Sequence, residues 1–121
     1  MTQSACQAIV LAAGKSSRFK TGTTKLNFTL CGQEIILYPL NVLHALKLPT
    51  TVVVGYQKEA VQETISRSEL MVTYVEQEVQ LGTGHAVALT KSNWYADTIL
   101  IINGDVPLVT EELLQNLIQQ H

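Results

Sequence analysis

Ala5-Cys6-Gln7-Ala8-Ile9-Val10-Leu11 runs directly into Ala12-Ala13-Gly14-Lys15-Ser16-Ser17-Arg18-Phe19. The first stretch is short and apolar, which predicts a buried strand. From Ala12 to about Lys25 the apolar period disappears, Gly14 and Gly22 interrupt the chain, and hydroxyl side chains accumulate. That predicts a loop long enough to have a task of its own. Small residues at its start let the backbone approach a ligand, and Lys15, Arg18 and Lys25 add positive charge. A strand that opens into such a loop has the layout of a polyphosphate site at the carboxyl end of a first β-strand.

Outward from that loop the chain alternates. Residues 28–30 read as a minor extended piece turned by Cys31-Gly32. Ile36, Leu37, Leu40, Leu43 and Leu46 recur at helical spacing and predict a helix over 35–46, with Pro39 tolerated near its first turn. Thr50 to Val54 is β-branched throughout and predicts a strand that Gly55 ends. A short helix is expected over 59–65 and a third strand over 70–75. Gly82-Thr83-Gly84-His85 is expected to break the pattern before a helix over 86–89. Residues 98–102 form the most hydrophobic strand candidate, and Asn103-Gly104-Asp105 follows it. Thr110 is placed to cap a last helix whose apolar face would be Leu113, Leu114, Leu117 and Ile118. Strands alternating with helices predict an α/β fold with a mostly parallel sheet. Such sheets bind ligands beyond the carboxyl ends of their strands. The polar segments 12–25, 76–85 and 103–107 should therefore share one edge.

Composition narrows the function. The chain has 121 residues, one domain's worth, with 46% hydrophobic and 15% charged residues, which suits a packed core. Its net charge of -2 and lack of a basic stripe argue against a general nucleic-acid binder. No apolar run is long enough to span a bilayer, and the first residues do not resemble a secretory signal. Cys6 and Cys31 read as small buried hydrophobes rather than a disulfide or metal pair.

Gly14-Lys15-Ser16 suggests a P-loop, but the motif needs a glycine where Ile9 stands. Only one glycine of the dinucleotide fingerprint is present as well. Backbone N–H groups with Lys15, Arg18 and Lys25 remain a phosphate cradle without either motif, because fixed cations stabilise the charge gathered in phosphoryl or nucleotidyl transfer. Asp105, at a strand end, is either a turn residue or a carboxylate holding Mg²⁺ against phosphates. Gln77, Gln80 and Gly82-Thr83-Gly84 are candidates to meet a base, since an amide carries both donor and acceptor. His85 reads as a helix-start or packing residue rather than a general base, for no carboxylate lies near it in sequence.

Taken with these motifs, the chain resembles the N-terminal half of a sugar-nucleotide pyrophosphorylase domain. Within that group it is most similar to the bacterial bifunctional N-acetylglucosamine-1-phosphate uridylyltransferases. The likeness covers nearly the whole chain. It rests on the 11–19 loop, Lys25-Leu26, Gln77 through Gln80-Leu81-Gly82-Thr83-Gly84-His85-Ala86, and Gly104-Asp105-Val106-Pro107-Leu108. Ser16-Ser17 stands where the family commonly has Gly-Thr or Gly-Ser, and Thr24 where it has proline.

The resemblance implies a Rossmann-like, mostly parallel sheet of the nucleotide-diphospho-sugar transferase type, truncated, with 1–121 as the N-terminal nucleotide-binding part. It implies nucleotide binding by Leu11, Ala12, Ala13, Gly14, Lys15 and Lys25, and base recognition by Gln77, Gly82 and Thr83. Arg18 and Lys25 would be the catalytic cations, and Asp105 the ligand of a Mg²⁺ cofactor. The implied partners are UTP and N-acetylglucosamine 1-phosphate, with neither nucleic acid nor membrane. The expected full-length protein is a cytoplasmic homo-oligomer, a trimer, serving peptidoglycan supply and carrying a glucosamine-1-phosphate acetyltransferase domain. The acceptor-sugar pocket would lie outside this chain. Two alternatives stand beside this one: a cytidylyl, thymidylyl or other sugar-nucleotide transferase of the same fold, and a non-catalytic nucleotide-binding module.

Overall fold

The computed structural model describes residues 6–13, 29–30, 32–55, 58–79, 82–94, 96, 98–104 and 110–120. Strand β1 (Cys6–Ala12) is followed by the short strands β2 (Thr29–Leu30) and β3 (Gln33–Glu34) and by helix α1 (Leu37–Ala45). Then come β4 (Thr50–Val54), α2 (Lys58–Arg67), β5 (Thr73–Glu76), α3 (Thr83–Ala88), a 3₁₀ turn (Lys91–Asn93), β6 (Thr98–Asn103) and α4 (Glu111–Gln120). The main sheet has the order β5-β4-β1-β6 and is parallel at every pairing. β2 and β3 form a separate antiparallel pair.

Alternation along β1 divides the core. Cys6, Ala8, Val10 and Ala12 face one way and pack with Val52, Val54 and the apolar stripes of α1, α2 and α4. Ile9, with Ala13 and Val53, joins Ala86 of α3 in a second cluster. Right-handed crossovers account for this. Two successive steps, β1 to β4 to β5, leave α1 and α2 on one face. The return past β1 to β6 carries α3 to the other.

α1 begins two residues later than expected and takes Pro39 in its first turn, where the missing N–H costs nothing. Its end is a Schellman closure: Lys47 N–H donates to the His44 carbonyl at 2.9 Å and Leu48 N–H to that of Leu43 at 3.1 Å. Lys47 holds φ 59, a left-handed conformation that a side chain resists. Lys47→Gly should therefore stabilise the domain by about 1 kcal/mol. Urea unfolding would read this as a higher midpoint at unchanged slope, and an unchanged midpoint would contradict it.

Two expectations need correction. The 82–85 run does not interrupt the pattern before a helix at 86; Thr83, Gly84 and His85 are already helical, with Gly82 the N-cap at φ 98. The strand expected over 98–102 is present as β6, at an edge of the described sheet: Ile102 is buried and Ile101 is 47% exposed. α4 buries only the stripe through Leu114, with Ile118 partly covered, while Leu113 and Leu117 are both 49% exposed. The Thr110 cap is as expected, its Oγ1 accepting from Leu113 N–H at 3.1 Å.

Candidate active site

The strand register sets the site. Ala12 stands level with Val54, Val54 with Glu76, and Leu11 with Asn103, so all four strands finish at one edge. Two backbone bonds tie the segments that leave it. Gly104 N–H donates to the Leu11 carbonyl at 2.9 Å, and Gln77 N–H to that of Val54 at 2.8 Å. Strand order reverses beside β1, since β4 and β5 lie to one side and β6 to the other. A parallel sheet opens a ligand crevice at such a switch point. Here Ala13, 3% exposed, and the buried Gly104 stand at its lip.

α3 lies over the same end. Ala86 packs against Ile9, Ala13 and Val53, bringing the Gly82–His85 turn toward the strand ends. Gln77 is the polar wall of this region, at 3% exposure, where a loop glutamine is ordinarily a surface residue. Its Nε2 donates to the Gly82 carbonyl at 3.3 Å and to His85 Nδ1 at 3.0 Å. The Gly82 carbonyl can only accept, so it requires the amide nitrogen on this side; His85 Nδ1 completes the pair as acceptor in the tautomer with its proton on Nε2. The Gly82 carbonyl also accepts from Ala86 N–H at 3.1 Å, so one oxygen anchors both helix start and glutamine.

Farther along the edge, Lys58 at the start of α2 meets Glu76 at the end of β5 at 2.8 Å. The hydrogen bond to Glu76, above all, raises the Lys58 pKa and keeps that ammonium charged. Both side chains are about one-third exposed, so the pair braces the edge only weakly. A groove of ≈350 Å³ lined by Pro49, Thr50, Leu70, Met71 and Thr73 lies at the opposite, amino end of β4 and β5. It has no part in the crevice.

A model of the MobA-like NTP transferase domain matches residues 8–121. The chain belongs to that family. Within this NTP transferase family it is 43% identical over 117 residues to the bifunctional protein GlmU of Geotalea daltonii, across 94% of the chain and 25% of that protein. It thus spans about a quarter of the length of such relatives. Among solved structures, a nucleotidyl transferase from Methanothermobacter superposes with TM-score 0.82 at 23% identity, covering 94% of this chain and 56% of the other. Rv0371C of Mycobacterium tuberculosis, determined as a manganese complex, superposes with TM-score 0.72 at 18% identity over 98% and 60%. These neighbours share the expected Rossmann-like nucleotidyltransferase fold.

Of the residues singled out in the sequence, Leu11, Ala12, Ala13, Gln77 and Gly82 lie on the carboxyl edge or the turn packed over it, as does the backbone of Thr83. Ala12 is the last residue of β1 rather than the first of the loop. Gly14, Lys15, Arg18, Lys25 and Asp105 fall outside the described residues, as do Gln80 and Cys31. Cys6 is buried, and burial raises its thiol pKa, as suits a core residue.

Two polar residues escaped sequence reasoning. Gln7, inside the apolar run of β1, is 2% exposed; its Nε2 donates to the Asn93 carbonyl at 3.1 Å and its Oε1 accepts from Ala96 N–H at 3.0 Å. It pins the segment that leads into β6. His85 is the other: its partner is an amide rather than a carboxylate, and only the packing of α3 reveals it.

The described residues contain no group of three or more His, Cys, Asp or Glu placed to hold a metal. The Gly104–Leu11 tie holds the end of β6 beside the end of β1 at the switch point.

Proposed function

We propose that this chain is the nucleotide-binding part of a uridylyltransferase that converts UTP and N-acetylglucosamine 1-phosphate to UDP-N-acetylglucosamine and pyrophosphate. The observation that carries this is the convergence of the Ala13, Gln77 and Gly104 segments on one sheet edge, with Gln77 buried and its amide fixed. The similarity to GlmU supports the choice of nucleotide and sugar. The acceptor pocket belongs to a part of the gene product outside residues 1–121. By the same likeness the protein works as a cytoplasmic trimer in peptidoglycan supply.

In this scheme an oxygen of the sugar phosphate attacks the α-phosphorus of UTP. A P–O bond forms to the sugar phosphate, the α–β bond breaks, and pyrophosphate leaves without a covalent enzyme intermediate. Leu11, Ala12, Ala13 and Gly14 line the nucleoside with close-approaching backbone. Lys15 contributes charge to the phosphates. Arg18 and Lys25 hold the oxygens on which negative charge grows, stabilising the transition state more than the bound substrate. Gln77, Gly82 and Thr83 meet the base. Mg²⁺ held by Asp105 would neutralise phosphate charge when bound.

Competition binding of UTP against CTP and dTTP, on the gene product carrying this chain, tests the nucleotide assignment. UTP should compete best. Stronger competition by CTP or dTTP would move the chain to another transferase of the same fold.

A further inference from the structure

We propose that His85 is a positioning residue for base selection, acting through the Gln77 carboxamide. This rests on the assignment of Gln77 to the base. The Gln77 amide nitrogen has two protons, and two acceptors face it: the Gly82 carbonyl at 3.3 Å and His85 Nδ1 at 3.0 Å. The opposite flip would set Oε1 against the Gly82 carbonyl, which cannot donate, so the amide nitrogen faces the turn; His85, with its proton on Nε2, then takes the second amide N–H on Nδ1. The pair therefore fixes which end of the amide is turned away from the turn, and that end is the oxygen.

An amide held this way has only an acceptor left to offer. It can take the ring N–H of an imide-type base, such as uracil N3–H. It rejects cytosine, whose N3 is itself an acceptor, because two acceptors would face each other without water between them. Gln77 is 3% exposed, so little solvent is at hand to repair such a mismatch. A free glutamine could rotate to suit either pyrimidine; the Gly82 carbonyl sets the orientation and His85 Nδ1 holds the second amide proton, which removes that freedom. The carbonyls of the base must then find their donors elsewhere than on this amide.

The test is the ratio of kcat/KM for UTP to that for CTP, measured on the gene product carrying this chain with His85→Leu, His85→Asn and Gln77→Ala. Leucine keeps bulk but offers no acceptor, so the ratio should fall about tenfold, the worth of one hydrogen bond. Asparagine can return an acceptor oxygen near the Nδ1 position and should restore most of the ratio. A merely structural histidine would lower both substrates together and leave the ratio unchanged in His85→Leu, which would overturn the proposal. Should His85→Leu fail to fold, His85→Phe, which also lacks the acceptor, takes its place: a lowered ratio supports the acceptor role, and an unchanged ratio contradicts it. A wild type that does not prefer UTP, or a Gln77→Ala variant with the wild-type ratio, instead overturns the assignment of Gln77 to the base.

Discussion

Arg18→Ala and Lys25→Ala are each expected to lower turnover by roughly 10²-fold or more in the gene product carrying this chain, with nucleotide binding falling less. The loop that bears them leaves β1 at Ala13, beside the switch point between β1 and β6. Nucleotidyl transfer gathers charge on the oxygens of the α-phosphorus and on departing pyrophosphate. A cation fixed there stabilises the transition state by several kcal/mol, where a solvated surface cation contributes about 1 kcal/mol or less. Arginine offers a rigid fork to two oxygens and lysine a point charge, so Arg18→Lys should recover only part of the loss. Steady-state kinetics at saturating UTP separates the two cases. Wild-type kcat in both alanine variants would return Arg18 and Lys25 to the solvated surface.

Asp105→Asn is expected to cut activity on the order of 10²-fold while leaving the thermal midpoint almost unchanged. The amide keeps the shape and one acceptor oxygen but loses the charge that draws a divalent ion. The Gly104–Leu11 bond is made by backbone atoms and does not depend on the neighbouring side chain. Part of the activity should therefore return as Mg²⁺ is raised. A variant as active as wild type across the Mg²⁺ titration would leave Asp105 a turn residue.

β4 was legible to the residue, because Thr50 to Val54 is β-branched at every position and lies fully inside the sheet, where composition and burial agree. The carboxyl-edge arrangement was legible too, since alternating strands and helices leave few other topologies. β6 was legible as a strand, but its exposure was not: apolar content says a strand can be buried, while sheet order decides whether it is, and the edge leaves Ile101 open. α3 was misread because Gly82 and Gly84 suggest a loop. Gly82 in fact supplies the positive φ of an N-cap, and Gly84 is carried inside the helix by the packing of Ala86. Gln77 stood out in the sequence by its motif, but its burial and its bond to His85 did not. That contact needs β5 placed on β4 and α3 folded back over β1, neither of which is written into the intervening residues. Gln7 was hidden in the same way, its partners Asn93 and Ala96 lying far along the chain.

The most direct measurement is the formation of UDP-N-acetylglucosamine from UTP and N-acetylglucosamine 1-phosphate by the gene product carrying this chain, with CTP and dTTP run in parallel. The prediction is Mg²⁺-dependent release of pyrophosphate in step with the UDP-sugar, and a kcat/KM for UTP at least about tenfold above those for the other two. Turnover with CTP or dTTP in preference to UTP, or tight UTP binding with no sugar nucleotide formed, would contradict it.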